Sequence, residues 1–352
     1  MHFVHKITVT IHTASQDDFL KNQGIDSYFE NICINLARQT FRSFELVYID
    51  THYEENKAKF DNIFPKYALY VKHVPVHKNH RYWYDLGGTY ISAAKNTGIL
   101  YADGELIVSL DDAEFLPDDL LSRYWGHYQG GHYMLALHKR LKTIDSVDGK
   151  IIYPIHGEEY INDHRFLSMT QDVMRHTVGN NAFAGTSYSL LDALHLNGFN
   201  ERMDGCKSLE DCDFGYRLES LGRKFVFDKL GFVYILDHQS YTDRYINTGW
   251  SEAAEIQSSN FGEGKNRGKV ESIVCVENYG VHMFAVKLRH LQANNYDLQQ
   301  QHYDILREET QKYRNFDIFA DEHKEKLEMW KQVPKFDLKQ EREMLRLENW
   351  RF

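Results

Sequence analysis

Apolar residues occupy every second position near the start of the chain. Ile7, Val9 and Ile11 alternate with threonines in KITVTIHT, the period-2 pattern of a strand. Tyr28, Phe29, Ile32, Cys33 and Leu36 then fall at i, i+4 and i+8 spacing, which predicts a helix with one apolar face. FELVYID (44–50) reads as a second strand ending on Asp50, and YALYVKHVPV (67–76) as a third closed by Pro75. A helix through residues 91–100 leads by way of ADG into ELIVSL (105–110). That run is nearly all apolar, as strands covered on both faces of a parallel sheet are.

HYMLALH (132–138) is a further strand, and residues 141–180 form an irregular, polar excursion across one face. A helix is expected over residues 187–196, ended by Asn197-Gly198, a C-cap signal. A second is expected over residues 212–221, stopped by Gly222, and KFVFDKLGFVYILDH (224–238) is strand-like. The βαβα order predicts an α/β sheet with right-handed crossovers. Beyond about residue 285 the pattern turns helical, with Leu338 and Leu345 one heptad apart. Two units follow: residues 1–284, and a C-terminal helical extension, 285–352, read as a packing or oligomer element.

Composition narrows the class. The 352 residues are 42 % apolar and 26 % charged, which is ordinary globular composition. Formal net charge is −10, so the basic footprint of a nucleic-acid binder is missing and no nucleic-acid partner is expected. Residues 285–352 hold 13 basic and 13 acidic side chains, so the whole excess sits in residues 1–284. An acidic body either repels anions or holds a cation that reverses its local field. Aromatic residues reach 14 %, which suits either stacking on ring-shaped ligands or an aromatic-rich core. Four cysteines without framework spacing, and a first strand that leaves no room for a leader, point to a reduced, cytoplasmic protein. No apolar run is long enough for a transmembrane helix.

The sharpest chemical feature is VSLDDAEFLPDDLL (108–121). Asp111 and Asp112 stand at the carboxyl end of a buried strand, where open α/β sheets bind ligands. Adjacent carboxylates repel unless neutralised, and a divalent cation with phosphate oxygens neutralises them. Asp118, after Pro117, is the better helix cap, which leaves the pair without a structural job. A second acidic group, Glu210, Asp211 and Asp213, opens a helix after GFNERMDGCK. First-turn acids stabilise a helix dipole, but a partly buried carboxylate there also serves as a general base.

The glycine-rich, basic stretch NFGEGKNRGKV (260–270) fails both common phosphate-loop spacings. It reads equally as a basic lid over a diphosphate or as a surface loop. His73, His77 and His80 have metal-like spacing, but Pro75 prevents a shared helix face. Tyr82, Trp83 and Tyr84 before Gly87-Gly88 suit either a donor pocket or a core contact.

Taken in order, KITVTIHT, FELVYID, ISAAKNTGILYADGELIVSLDDAEFLP, LNGFNERMDG, LEDCDFGYRLESLG and ILDHQ resemble an inverting family 2 glycosyltransferase of the GT-A fold, over roughly residues 5–240. The phrase ED-x-x-FGYRL followed by DHQ is similar to polysaccharide polymerase domains of the chondroitin synthase type. The resemblance implies a mixed α/β sheet flanked by helices and transfer of a sugar from a nucleotide-diphosphate donor, a UDP-sugar being favoured, to a hydroxyl of a glycan or other acceptor. It implies that Thr13, Asp50, Lys95 and Asp111 serve the donor, with Lys95 where the family often has Arg. It implies Asp112 and His238 as metal ligands, with Mn²⁺ preferred to Mg²⁺ because imidazole suits manganese. Asp211 matches the catalytic base, with Glu210 holding the acceptor or orienting Asp211.

Position 113 is Ala, where the family often has a third-position aspartate. Glu114 stands close enough in sequence to assist, but as the next residue of an extended run it is placed pointing away. A nucleotidyltransferase acting on a sugar phosphate, and a degenerate sugar-binding module of the same fold, are the alternatives. A dehydrogenase is disfavoured, since no glycine fingerprint follows the first strand.

Overall fold

The computed structural model describes residues 4–13, 28–76, 91–112, 114–148, 150–161, 163–176, 185–195, 198–199, 211, 214–215, 218 and 221–236. In chain order its elements begin with β1 (His5–Thr13), α1 (Tyr28–Ala37), β2 (Phe44–Asp50), α2 (Tyr53–Ile63), β3 (Val71–Pro75) and α3 (Ile91–Tyr101). They continue with β4 (Gly104–Asp111), β5 (Glu114–Phe115), α4 (Leu120–Gln129), β6 (His132–Leu141), β7 (Ser146–Val147), β8 (Lys150–Ile151) and β9 (Glu159–Tyr160). The last are α5 (His164–Leu167), β10 (Val173–His176), β11 (Thr186–Ser189), α6 (Leu190–His195) and β12 (Lys224–Leu236). Among the described residues no helix is long and apolar enough to cross a membrane.

The main sheet runs β10-β12-β6-β11-β4-β1-β2-β3, with β5 added to β12 and β9 to β6. Strands β3, β2, β1 and β4 are mutually parallel. Strand β11 is inserted antiparallel to both β4 and β6, so β6 again points the way β4 does. Strand β12 is parallel to β6. The carboxyl ends of β1, β2, β4, β6 and β12 therefore share one edge of a mixed α/β sheet. The chain builds outward from β1 in one direction through β2 and β3, and in the other through β4. Such a reversal of strand order opens a crevice at the carboxyl ends of the two central strands.

The sheet is covered by helices on the faces that its apolar strands demand. Ile7, Val9, Leu46, Leu106 and Val108 are fully buried, each worth about 1.5–3 kcal/mol of transfer free energy. Helix α1 lays Phe29, Ile32, Cys33 and Leu36 against the sheet. There Phe29 stacks on Phe60 of α2 at 3.7 Å and meets Tyr48 of β2 edge-on at 4.5 Å. The Cys33 thiol is buried, and that burial pushes its pKa well above the ordinary thiol range, so it is inert as a nucleophile. Helix α3 approaches β1 and β2 closely at Gly98, where a Cβ would lie 3.1 Å from Thr10 Cγ2.

At the amino ends of the strands a buried charge network ties the sheet together. Lys72 Nζ lies 2.7 Å from Glu45 Oε2 and 2.5 Å from Asp103 Oδ2. Glu45 Oε1 in turn accepts from Thr8 Oγ1 at 2.7 Å and from the Asp103 amide at 2.6 Å.

Four local expectations change. Residues 64–67 form a 3₁₀ turn with Pro65 at its start, and Ala68 takes a left-handed conformation. The third strand therefore begins only at Val71. The preceding α2 shows little apolar periodicity in the sequence, since Phe60 and Ile63 are its buried residues. Residues 187–189, expected to open a helix, belong to the strand β11, and only Leu190–His195 are helical. Pairing with β4 on one side and β6 on the other overrides the local helical pattern. Asp118 does not cap α4. Asp119 holds that position, and the Asp118 carboxylate takes Arg38 at 2.7 Å.

Candidate functional site

The site is built at the β1/β4 reversal. The two strands pair in register up to His12↔Asp111, and β1 pairs with β2 up to Thr13↔Asp50. The last residues of three strands are thus brought level by backbone pairing alone. Thr13 is buried, and its Oγ1 donates to Asp112 Oδ2 at 2.8 Å. Asp112 is half-buried on the turn just beyond β4, while Asp111 is exposed. Of the residues named from the sequence, Thr13, Asp111 and Asp112 are therefore brought together.

Tyr48 underlies them. It faces Ile11 across the β1–β2 pairing, which puts its side chain on the sheet face that Thr13 and Asp50 also use. Its phenol is held neutral well above its ordinary pKa, first by burial and then by the negative charges of Asp112 and Asp50, with Thr13 within hydrogen-bonding reach. The sequence offered no reason to single it out among 23 tyrosines.

Asp50 departs from its expected role as an open acceptor for the base or ribose. It is completely buried, and its carboxylate is engaged from within. It accepts the His52 amide at 2.7 Å and Asn56 Nδ2 at 3.0 Å, and faces His73 Nε2 at 3.1 Å. The His73 ring sits among Tyr53, Phe60 and Tyr48, at centroid separations of 4.5, 4.9 and 5.9 Å. As placed, Asp50 fixes the corner where β2 turns into α2. His73, weighed earlier as part of a histidine cluster, is its partner.

Glu114 is also corrected. It does not point away: its side chain is fully buried, and its Oε2 accepts the Asp111 amide at 3.0 Å. Burial and then the adjacent Asp111 push its pKa well above the usual carboxylate range, while the Arg165 guanidinium draws it back. Arg165 itself is held by Asp163 through a two-pronged pair, with Nη2 to Oδ2 at 2.8 Å and Nε to Oδ1 at 2.9 Å.

Lys95 projects from α3 with its Nζ 5.0 Å from the centre of the Phe199 ring. The next residue, Asn96, is fully buried and clamps the same loop. Its Oδ1 accepts the Phe199 amide at 2.7 Å and its Nδ2 donates to the Phe199 carbonyl at 2.9 Å. Gly198 makes this possible: its φ is +66°, and a Cβ there would lie 2.3 Å from Asn96 Oδ1. Its amide also closes α6 by donating to the Ala193 carbonyl at 2.8 Å, as the Asn197-Gly198 signal predicts. A polar residue inside an apolar helical run was the available clue to Asn96.

Asp211 is helical and half-buried, and Phe214 beyond it stacks on Phe199 at 4.1 Å. The Asn96 clamp and Phe214, three positions beyond Asp211, are therefore linked through one aromatic contact. Glu210, His238, residues 260–270, Tyr82–Tyr84 and the extension 285–352 lie outside the described residues.

No family model matches the chain, and no curated protein matches its sequence. Among solved structures it is similar to S. aureus TarS 1–349 in complex with UDP-GlcNAc, at 16 % identity and a TM-score of 0.46, over 90 % of this chain and 74 % of that one. It is also similar to GalNAc-T7 with UDP, GalNAc and Mn²⁺, at 12 % identity and a TM-score of 0.47, over 73 % of this chain and 50 % of that one.

An acidic turn at a strand-order reversal, braced from below and beside, suits an anionic ligand that arrives with a cation. Asp111 and Asp112 supply oxygen donors, the ligand type that hard divalent cations take. Among the described residues no group of three or more His, Cys, Asp and Glu side chains forms a closed cage. Most of such an ion's shell would therefore be filled by water, by oxygens of a bound ligand or by residues outside the described set.

Proposed function

We propose that the chain is a metal-dependent, inverting glycosyltransferase that moves a sugar from a nucleotide-diphosphate donor, a UDP-sugar, to an acceptor hydroxyl. The observation that carries the reading is the Thr13–Asp112 hydrogen bond, which fixes a carboxylate at the crevice between β1 and β4. The order of the motifs along the chain and the helical, half-buried Asp211 support it.

Asp111 and Asp112 would hold a divalent cation together with the donor diphosphate, and His238 is proposed as a further ligand. That cation, when bound, supplies neutralisation of the charge developing on the leaving nucleotide. Thr13 fixes the orientation of the Asp112 carboxylate, which would present it to the ion. Lys95 is proposed to contact the donor's phosphate or base. Asp50 keeps the nucleoside side of the pocket in shape through its β2–α2 corner. Asp211 accepts the proton of the acceptor hydroxyl as that oxygen attacks the anomeric carbon from the face opposite the nucleotide. Glu210 is proposed to hold the acceptor or to orient Asp211.

Metal and donor are expected to bind together, because an acidic pocket repels a lone diphosphate. The test is thermal stabilisation and transfer with UDP-, GDP- and dTDP-sugars, each with Mn²⁺ and with EDTA. Stabilisation by a UDP-sugar only with Mn²⁺, and release of the nucleoside diphosphate, is the expected result. Equal activity with EDTA, or an unchanged rate in Asp112→Ala, sinks the reading.

A further inference from the structure

Glu114 is a fully buried carboxyl group that the proposed chemistry leaves without a part. Burying a carboxyl costs far more than burying a leucine in the same place, unless an acceptor is needed there. The surroundings say what needs it. Oε2 accepts the amide of Asp111, at 3.0 Å. The Glu114 backbone belongs to β5 and pairs with β12 at Ile235, with Phe115 opposite Tyr234. Among the described residues Oε1 has no hydrogen-bond partner, with His138 Nε2 of β6 standing 3.7 Å away. One side chain thus joins the end of β4 to β5, beside β6 and on the strand paired with β12.

The acidic turn is consequently braced twice. Thr13 holds the Asp112 side chain from β1, and Glu114 holds the Asp111 backbone from the far side. A hydrophobic residue at 114 could fill the space but would leave the Asp111 amide without this acceptor. Losing a hydrogen bond of this kind costs about 0.5–1.5 kcal/mol and loosens the turn on which Asp112 stands.

We infer that Glu114 is a positioning residue, whose carboxyl group accepts the Asp111 amide to close the turn and so set where Asp112 projects. The inference rests on the reading of Asp112 as a donor-site residue. It requires an acceptor at 114, and no negative charge. Glutamine therefore substitutes for glutamate, and methionine, close in shape but lacking the oxygen, does not.

The experiment compares the full-length chain with Glu114→Gln and Glu114→Met by calorimetry of UDP with Mn²⁺, thermal melting, and amide exchange of the peptide spanning residues 108–116. Glu114→Gln is expected to keep its UDP affinity. Glu114→Met is expected to lose about 10- to 100-fold, the range seen when groups that orient metal ligands are removed. Faster exchange confined to residues 108–116 is expected to accompany that loss. Glu114→Ala replaces the methionine variant if the latter fails to fold. Parent-like affinity and exchange in the methionine or alanine variant overturn the inference, as does an equal loss in Glu114→Gln. If the parent chain binds no UDP with Mn²⁺, the donor-site reading fails by itself. The exchange arm then still decides whether Glu114 closes the turn.

Discussion

Thr13 at the end of β1 and Asp112 just past the end of β4 are 99 positions apart in sequence, yet they meet in a 2.8 Å hydrogen bond. Parallel pairing of the two strands places them level, and the hydroxyl then selects one orientation of the carboxylate. Removing that hydroxyl without changing shape isolates its contribution. Thr13→Val is expected to weaken Mn²⁺-dependent UDP binding by about tenfold, as loss of an orienting partner does. Thr13→Ser is expected to retain it. Titration calorimetry of both variants checks the pair.

Asp211 gives a kinetic prediction. If it takes the acceptor proton, Asp211→Asn lowers kcat by about 10²–10⁴ and leaves the donor KM nearly unchanged. A fall in donor affinity of the same size, measured in initial-rate assays, would place the residue in binding instead.

The Lys72 network gives a prediction about stability alone. Its Glu45 partner has no exposed side-chain surface, so Lys72→Met strands a buried charge. A loss of about 3–5 kcal/mol in urea unfolding is expected. The Arg38–Asp118 pair is one-third or more exposed, at 33 % and 40 %, and Arg38→Met is expected to cost only about 0–1 kcal/mol for the ion pair.

Asp163 supplies a pH dependence. Burial works to raise its pKa, but hydrogen bonds and charge from Arg165 outweigh it and hold the folded value at about 2, against 3.8 for the ordinary group. A depressed carboxylate stabilises the fold above the unfolded value and loses that contribution as pH falls through the folded one. Melting temperature is therefore expected to drop between pH 3.8 and about 2 in the parent chain. The slope is expected to flatten in Asp163→Asn, which starts from a lower baseline because Arg165 loses its partner.

Asn96 and Gly198 make a joint test. Asn96→Leu deletes both hydrogen bonds to Phe199, at a cost of about 1–3 kcal/mol for each buried group left unsatisfied. Gly198→Ala forces a Cβ to 2.3 Å from Asn96 Oδ1 at a φ of +66°. The two substitutions attack one contact, so the double variant is expected to lose clearly less than the sum of the singles. A double-mutant cycle on chemical denaturation measures the coupling.

Much of this arrangement was legible in the chain because it is local. A period-2 run that ends on a charged or hydroxyl residue fixes both the strand and the place where its side chain leaves the sheet. KITVTIHT ended on Thr13, FELVYID on Asp50, and ELIVSL led into Asp111 and Asp112, and those boundaries stand within a residue or two. The α6 stop at Gly198 was equally local, since a left-handed glycine and its returning amide need nothing from elsewhere.

What escaped the sequence depended on partners far along the chain. TSYS became a strand because β4 and β6 offered two unpaired edges. Asp50 turned inward because Asn56 and His73 surround it. Glu114 turned back because β12 captured its backbone and its carboxyl group accepts the Asp111 amide. By itself the sequence determined which residues could do acid, base and cation chemistry, and the strand ends on which they stand. Only the tertiary structure decided which carboxylates are left for a ligand and which are used to hold the others in place. The physical reason is that a carboxylate's role is set by the donors that reach it, and backbone pairing between distant strands brings those donors.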